Sequence, residues 1–319
     1  MLTYQGHIVL FVGGVGGAKL AHGLYHTLKP QQLTIIVNTG DDFWHYGLRI
    51  CPDVDTIMYT LGGLVNRAQG WGVADDTFTA FETLRRYGES PWFRLGDQDL
   101  ATHMTRTARL REGATLTQIT RDLSASVGIK CVILPMTDSP VSTIAHTQAH
   151  GDLAFQEYFV KHRWQPALRS LSFVGIEDAR ITPEVSEAIS RADAIIIGPS
   201  NPWLSIQPIL QVPGLRDLIG GRDVPRIAVT PLIGGRAVKG PTAKIMAEFG
   251  LDVSVKTVVE YYSDLINGFA YDERDAAPEL PTDAAHIRLN ALNTLMDDEH
   301  ARQRLAHDII AWLADWSMK

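Results

Sequence analysis

The sequence predicts an α/β fold, in which a doubly wound, mostly parallel, Rossmann-like sheet carries a helix-rich inserted subdomain. Short apolar, β-branched segments at residues 8–12, 33–37, 194–197 and 226–229 indicate buried strands. A loop rich in Gly, Asn, Ser or Asp follows each of them, and helical patterns come next. Such connections place helices on both faces of a parallel sheet. We therefore expect a nucleotide-binding core at residues 1–97 and 181–319 and an insertion at residues 98–180.

The composition restricts the possible function classes. The chain has 319 residues, and its 45% hydrophobic content is enough for a sizeable core. A net charge of −7 without a basic run argues against nucleic acid or anionic membranes as partners. Two distant cysteines, Cys51 and Cys131, are typical of a reducing compartment. No apolar run approaches the roughly 18 residues of a membrane helix, so we expect a soluble cytoplasmic protein.

A glycine-rich turn follows the first strand. Its glycines are Gly13, Gly14, Gly16 and Gly17. Backbone N–H groups can approach a phosphate closely there, because no Cβ atom intervenes and a helix begins next, at residues 18–28. Lys19 stands where a dinucleotide fingerprint needs its third glycine, and no Ser or Thr follows it as in a P-loop. The turn is therefore a phosphate site of neither standard type, or a tight turn without a ligand.

Polar residues follow the second strand, where open α/β sheets place their ligands. They are, in chain order, Asn38, Asp41, Asp42, Asp53 and Asp55. If the segment after Pro52 is extended, Asp53 and Asp55 face the same side, ahead of a helix at residues 56–64. Such a carboxylate rim beside a phosphate turn suits Mg²⁺. The alternatives are solvated aspartates in a capped loop, and Asp55 as a helix N-cap.

Residues 70–127 mix aromatic side chains such as Trp71 with aspartate and arginine. Arg94 lies beside a Gly-Asp turn, where it either pairs with Asp97 or holds an anionic or polar ligand; Asp97 itself suits a helix N-cap. Helices are expected at residues 77–87, 97–110 and 116–127, and strands at 131–134, 141–146 and 171–176.

Two further loops in the second half could contact a ligand. The strand at 194–197 ends in Gly198, Ser200 and Asn201, between two prolines, which either contact a ligand or only connect two elements. A glycine-rich loop after residue 229 contains Lys239, either as a phosphate contact or as a solvated side chain. Helices are expected at residues 182–192, 209–218, 242–249, 257–265 and 298–316, and a strand at 268–271.

Short motifs occur in a specific order over nearly the whole chain. They are GGVGGAKL at residues 13–20, NTGDD at 38–42, PDVDT at 52–56, WG at 71–72, DTF at 76–78, RLGD at 94–97, LPMTD at 134–138, GPSNP at 198–202, KGP at 239–241 and EYY at 260–262. In this order they make the chain resemble the 2-phospho-L-lactate transferases of coenzyme F420 biosynthesis.

The resemblance implies a Mg²⁺-dependent enzyme that transfers a phospho-acyl group from a GDP-linked donor to the 5′-hydroxyl of the deazaflavin riboside Fo, with release of GMP. The acid is 2-phospholactyl, phosphoenolpyruvyl or 3-phosphoglyceryl in different members. A cytoplasmic homodimer is implied as well. Chemistry of this kind depends on positioning and charge neutralisation more than on covalent catalysis.

The resemblance also assigns roles to the candidate residues. Asp55, Arg94 and Trp71 fall on the Fo side, to which the insertion contributes. Asp53 and Asp55 are the catalytic candidates, with Asp55 preferred as the group that orients or deprotonates the hydroxyl. The metal is assigned to Asp41, Asp42 and Asp53. The donor nucleotide is assigned to Gly13, Gly14, Gly16, Gly17, Lys19, Asn38, Gly198, Ser200, Asn201 and Lys239.

Two other functions compete with this one. A non-enzymatic regulator of the same fold group would bind a nucleotide sugar; the segments around Arg94 and at residues 52–55 argue against it. A nicotinamide-dependent oxidoreductase is disfavoured by the missing third glycine. Binding of Fo and GDP, rather than of NAD or a UDP-sugar, distinguishes the transferase from both.

Overall fold

A parallel sheet of seven strands forms the centre of the structure, a computed structural model that describes residues 4–237 and 240–316. The strands, in chain order, are β1 (Ile8–Val12), β2 (Leu33–Val37), β3 (Phe43–His45), β4 (Leu48–Ile50), β5 (Val132–Pro135), β6 (Ser142–Thr147), β7 (Gly151–Ala154), β8 (Leu168–Val174), β9 (Ala194–Ile197), β10 (Arg226–Val229), β11 (Leu232–Ile233), β12 (Arg236–Ala237), β13 (Gly268–Asp272) and β14 (Arg288–Leu292). The strand order in the central sheet is β14-β13-β10-β9-β1-β2-β5.

Helices cover the two faces of this sheet. They are α1 (Gly14–Thr27), α2 (Pro52–Leu61), α3 (Thr79–Arg86), α4 (Asp97–Arg111), α5 (Leu116–Ser126), α6 (Pro183–Arg191), α7 (Gln207–Leu210), α8 (Leu215–Gly220), α9 (Thr242–Glu248), α10 (Val255–Tyr261) and α11 (Glu299–Trp316). Glu157–Lys161 and Pro202–Ile206 form short π-helical turns. The α/β fold predicted from the sequence is thereby confirmed. In the described ranges no helix is long and apolar enough to cross a membrane.

The order in which the chain adds strands to the sheet changes direction at β1. The chain builds outward from β1 through β2 to β5, and then returns to place β9 on the other side of β1. The loops after β1 and β9 therefore leave the sheet in opposite directions and open a crevice at the carboxyl ends of the strands.

Alternate side chains of β1 are buried in two different cores. Leu10 and Val12 pack on the face covered by α1 and α11, whereas Val9 and Phe11 join the opposite core with Ile197. The whole strand is inaccessible to solvent. Burial on both faces explains why the strand reads as a continuous apolar run rather than as an alternating one.

Helix α1 begins at Gly14 and not at residue 18, so the glycine run itself forms the first helical turn. Close packing accounts for this. A Cβ atom on Gly16 would lie 2.5 Å from the Pro199 carbonyl oxygen, and one on Gly17 would lie 2.5 Å from the Val12 Cβ. The run therefore lets the first turn of α1 fit between the loops after β1 and β9.

Helix α2 begins at Pro52, so the expectation of an extended segment at Asp53 and Asp55 is wrong. Pro52 opens the helix because its fixed φ angle suits the first turn. Asp55 is not the N-cap either, since Cys51 holds that position. The two carboxylates instead lie on the first turn, where the helix dipole favours negative charge.

The segment at residues 98–180 is helical only in its first part. Helices α4 and α5 match the expectation, but β6, β7 and β8 then form an antiparallel sheet, and β5 pairs with β2 at the edge of the central sheet. The assignment of residues 98–180 to a separate insertion stays a prediction. One strand of that segment, β5, belongs to the central sheet. The β3–β4 hairpin and the edge strand β14 were not expected.

Candidate active site

A cavity of about 670 Å³ lies at the carboxyl ends of the strands, at the crevice between the β1 and β9 loops. Its wall contains Gly13, Gly14, Gly16, Lys19, Asp41, Asp53, Asp55, Trp71, Arg94, Ser200 and Asn201, which are most of the residues singled out from the sequence. Gly17, Asn38, Asp42 and Gly198 lie behind this wall, and Lys239 falls outside the described residues.

The glycine turn after β1 is held to the loop after β9 by two hydrogen bonds between Gly13 and Ser200. The Gly13 N–H donates to Ser200 Oγ at 3.1 Å, and the same hydroxyl donates to the Gly13 carbonyl at 2.8 Å. Asn201 accepts from the N–H groups of Trp203 and Leu204 and donates to Thr242. Ser200 and Asn201 thus fix the shape of the wall, and Gly14, Val15 and Gly16 of the first turn of α1 line the cavity.

Lys19 lies on the same wall, and its ammonium group donates to the Met296 carbonyl oxygen at 2.6 Å. Met296 follows β14 in the chain and also lines the cavity. A positive charge therefore stands beside the glycine turn, where it complements the helix N-terminus in attracting an anion.

Asp41 and Asp53 form a pair of buried carboxylates beside the glycine turn. Burial raises the pKa of Asp53 to about 6, against the opposing hydrogen bonds from Asn38 and the Gly14 N–H. Burial first, and then the charges of Asp53 and Asp42, raise the pKa of Asp41 well above its ordinary value. Two carboxylates that repel each other in a dry pocket are stabilised by a cation.

The Asn38 side chain holds Asp53, one member of this pair, in position. Its amide group donates to Asp53 Oδ2 at 3.0 Å and its carbonyl oxygen accepts from the Gly40 N–H at 2.8 Å. Asn38 therefore orients Asp53, which differs from the contact with the donor nucleotide that the sequence suggested. Asp42 faces Arg49 at 3.5 Å, and burial raises its pKa to about 7 although the Arg49 charge opposes this.

The donor set of the pair fits Mg²⁺. Among the described residues, Asp41 Oδ1 is buried without a hydrogen-bond partner, and both carboxylates line the cavity. Mg²⁺ is usually bound by one or two carboxylates, with waters and phosphate oxygens completing an octahedron. Asp41 and Asp53 meet that description beside a turn suited to phosphate, whereas Asp42 lies on the far side of the wall.

Asp55 forms an ion pair with a buried arginine that sequence reasoning missed. The two terminal guanidinium nitrogens of Arg106 donate hydrogen bonds to the two carboxylate oxygens of Asp55, and Nη1 lies 3.2 Å from Oδ2. The Arg106 side chain is 1% exposed. His103 lies 3.6 Å from the same carboxylate. A signal existed in the sequence, because Asp99, His103 and Arg106 recur at helical spacing on one face of the expected helix.

Arg94 does not pair with Asp97. Its guanidinium lies 3.6 Å above the centre of the Phe78 ring. Asp97 is the first residue of α4 rather than its N-cap, and its carboxylate accepts hydrogen bonds from Thr77, Thr79 and Ala80. Within the described part of the chain no hydrogen bond or ion pair uses the Arg94 guanidinium, which lines the cavity together with Trp71 and Trp92.

The cavity wall combines two chemically different sets of residues. The loops after β1 and β9 and the start of α1 contribute glycines, hydroxyl groups and Lys19, which we call the glycine end. Helix α2 and residues 71–94 contribute Asp55, Trp71 and Arg94, which we call the ring-binding end. The first suits a nucleoside diphosphate and the second suits a flat, uncharged ring compound with hydroxyl groups.

Comparison with known proteins agrees with this chemistry. The family model for the 2-phospho-L-lactate transferase CofD matches residues 8–306. A Methanosarcina mazei 2-phospho-L-lactate transferase is 40% identical over 303 residues, covering 95% of this chain and 99% of its own. A Streptomyces griseus phosphoenolpyruvate transferase is 40% identical over 308 residues, covering 95% and 97%.

A solved structure resembles the fold as well. It is a member of the UPF0052 family from Bacillus halodurans, with a TM-score of 0.61 at 13% identity, covering 96% of this chain and 99% of its own. At that identity the likeness concerns the fold alone. The motifs, the cavity and the family match agree, and the chain therefore belongs to the 2-phospho-L-lactate transferase CofD family.

Proposed function

We propose that this enzyme transfers a phospho-acyl group from a GDP-linked donor to the 5′-hydroxyl of Fo, releasing GMP and forming coenzyme F420-0 or its analogue. The observation that carries this proposal is that the glycine turn, a carboxylate pair and the ring-binding end line one cavity. The relatives named above act as a phospholactate and as a phosphoenolpyruvate transferase at the same identity of 40%.

The donor diphosphate occupies the glycine end in this proposal. The N–H groups of the first turn of α1 and the Lys19 ammonium stabilise its negative charge. Ser200 and Asn201 act by holding the two loops at the correct separation, since their hydrogen bonds are already made within the protein. Ser205 and Thr242 add hydroxyl groups to the same wall.

Asp41 and Asp53 would hold Mg²⁺ between the two ends, and the ion would supply charge neutralisation for the phosphate oxygens. In the metal-free protein burial raises the pKa of Asp53 to about 6, which makes it a second candidate for the proton acceptor. Asp53→Asn separates these roles. Loss of Mg²⁺ affinity in the variant identifies a ligand, whereas a lower kcat at saturating Mg²⁺ identifies a proton acceptor.

Asp55 is better suited to orient the acceptor hydroxyl than to take its proton. Both of its oxygens already bond the Arg106 guanidinium, which neutralises the carboxylate charge. Arg94 and Trp71 complete this end, Arg94 as a hydrogen-bond donor and Trp71 as a flat surface against the deazaflavin ring.

One assay tests the proposal. Purified protein is incubated with Fo, Mg²⁺ and, separately, the lactyl, enolpyruvyl and glyceryl GDP-linked donors, and the products are separated by mass. A phosphorylated Fo product from one donor identifies the acid. No product from any of the three overturns the transferase reaction.

Two further proposals rest on family membership rather than on geometry. The enzyme is a homodimer, tested by light scattering after gel filtration, and it works in the cytoplasm, tested by cell fractionation. A monomer at assay concentration would contradict the first, and recovery in a membrane or secreted fraction would contradict the second.

A further inference from the structure

Asp99 and His103 lie on α4 facing the ring-binding end, beside Asp55 and Arg106, and no role has been given to them so far. His103 Nδ1 lies 3.1 Å from Arg106 Nη1. A guanidinium can only donate, so Nδ1 must be the accepting nitrogen. Arg106 thus occupies the Nδ1 side of the ring, and Nε2 lies on the side of Asp99.

Asp99 is in close contact with both His103 and Tyr59. His103 Nε2 lies 3.2 Å from Asp99 Oδ1, and the Tyr59 hydroxyl donates to the same oxygen at 2.6 Å. Burial opposes the charged form, yet contacts with His103 and Tyr59 hold the pKa of Asp99 below its ordinary value. Asp99 is thus an ionised carboxylate whose Oδ1 is already satisfied.

The second oxygen of Asp99 is available to a ligand. Within residues 4–237 and 240–316 no hydrogen bond reaches Asp99 Oδ2, and the side chain is 15% exposed on the cavity wall. Asp55 differs in this respect, because Arg106 bonds both of its oxygens. Asp99 therefore differs from Asp55 in keeping one accepting oxygen that no described residue uses.

An acidic cluster of Asp55, Asp99 and His103 has the spacing of a cation site, but its chemistry does not suit a cation. Arg106 already supplies the positive charge to Asp55, and its Nη1 lies 3.1 Å from the Nδ1 atom of His103, where it would repel a cation. A hydroxyl or N–H donor avoids that repulsion, and it matches a lone accepting oxygen.

We propose that Asp99 binds a hydroxyl or N–H group of the uncharged acceptor, with Tyr59 and His103 as its positioning residues. The inference rests on the proposed function, since the acceptor is taken to be Fo.

Fluorescence titration with Fo and calorimetric titration with GDP test the inference. Asp99→Asn removes the charge at constant shape, and Fo should bind about ten- to a hundred-fold more weakly, as for one lost charge-assisted hydrogen bond. GDP affinity should not change. Asp99→Glu should recover part of the Fo affinity, and Glu112→Gln, an exposed carboxylate at the far end of α4, should behave as wild type.

Tyr59→Phe separates positioning from simple stability. It should weaken Fo binding on its own but add little to Asp99→Asn in the double variant, because both changes affect one interaction. Equal Fo affinity in wild type and Asp99→Asn, additive losses in the double variant, or equal losses for Fo and GDP would each overturn the inference. A wild-type protein that does not bind Fo would overturn the proposed function instead.

Discussion

Asp76 caps α4, the helix that begins at Asp97, and Asp97 in turn caps α3, the helix that begins close to Asp76. Asp76 accepts hydrogen bonds from two backbone N–H groups in the first turn of α4, at 2.8 and 3.1 Å. Asp97 accepts two from the start of α3, at 2.9 and 3.0 Å. The segment between the two helices contains Arg94, so these reciprocal caps hold a residue of the cavity wall in place.

The first prediction concerns this pair. Asp76→Ala leaves the α4 N-terminus without its acceptor, which should lower the free energy of unfolding by about 1 kcal/mol. Because Arg94 loses its support, Fo should also bind more weakly while GDP binding is retained. Denaturant unfolding and the two titrations measure these effects. Glu112→Ala, at the other end of α4, is the control, and equal losses in both variants would contradict the capping role.

The second prediction concerns the glycine run. Gly16→Ala places a Cβ atom 2.5 Å from the Pro199 carbonyl oxygen, so the first turn of α1 must move away from the β9 loop. We expect lower stability and a marked loss of GDP affinity. Gly220→Ala in α8 is the matched control, because its nearest neighbour would lie 3.9 Å away. A Gly16→Ala protein that binds GDP normally would show that the close approach is not required.

The third prediction concerns the buried ion pair. Arg106→Gln leaves the Asp55 carboxylate buried without its counter-charge, which should cost about 3–5 kcal/mol of stability. Asp55→Asn together with Arg106→Gln should be less destabilised than the sum of the two single variants, since neither charge then remains alone. Thermal unfolding of the four proteins completes the cycle. Strictly additive losses would mean that the two side chains do not act as a pair.

The fourth prediction concerns the division of the cavity. Arg94→Ala should weaken Fo binding and leave GDP binding largely intact, because Arg94 lies at the ring-binding end. Asp55→Asn should do the same in the fraction that remains folded. Titration of each ligand at a temperature well below the unfolding midpoint measures both effects. Comparable losses for Fo and GDP would refute the separation into two ends.

The fifth prediction concerns Mg²⁺ and pH. Burial raises the pKa of Asp53 to about 6 and that of Asp41 well above its ordinary value, so both carboxyls hold protons in acid. Mg²⁺ must displace those protons, and the rise in melting temperature on adding Mg²⁺ should therefore grow as the pH increases from 5 to 8. Asp41→Asn should reduce this Mg²⁺ effect. A Mg²⁺ effect independent of pH would contradict a site at this pair.

The strands could be read from the sequence because burial on both faces leaves an uninterrupted apolar segment, as in β1, β2 and β9. The start of α1 could not, because glycine has a low intrinsic preference for helices. Here packing against Pro199 and Val12 overrides that preference. The β3–β4 hairpin was missed because its strands span only three residues each.

Candidate residues were found in loops and first helical turns that directly follow strands, and they were missed in the middle of helix α4. Asp41, Asp53 and the glycine turn stand out as polar or flexible groups directly after apolar runs. Arg106 and His103 occur among many polar residues on α4, and only the packing of that helix on Asp55 distinguishes them. Asn38 was recognised, but its partner Asp53 could not be known before α2 was placed.

The bond between Ser200 and Gly13 joins residues 187 positions apart. During synthesis the ribosome therefore releases β1 long before the strand that completes its second edge. Until β9 emerges, that edge is open to pairing with other chains, which favours aggregation. The cavity also has no second wall in the nascent chain, so a ligand bound there can stabilise this protein only after most of it has been translated.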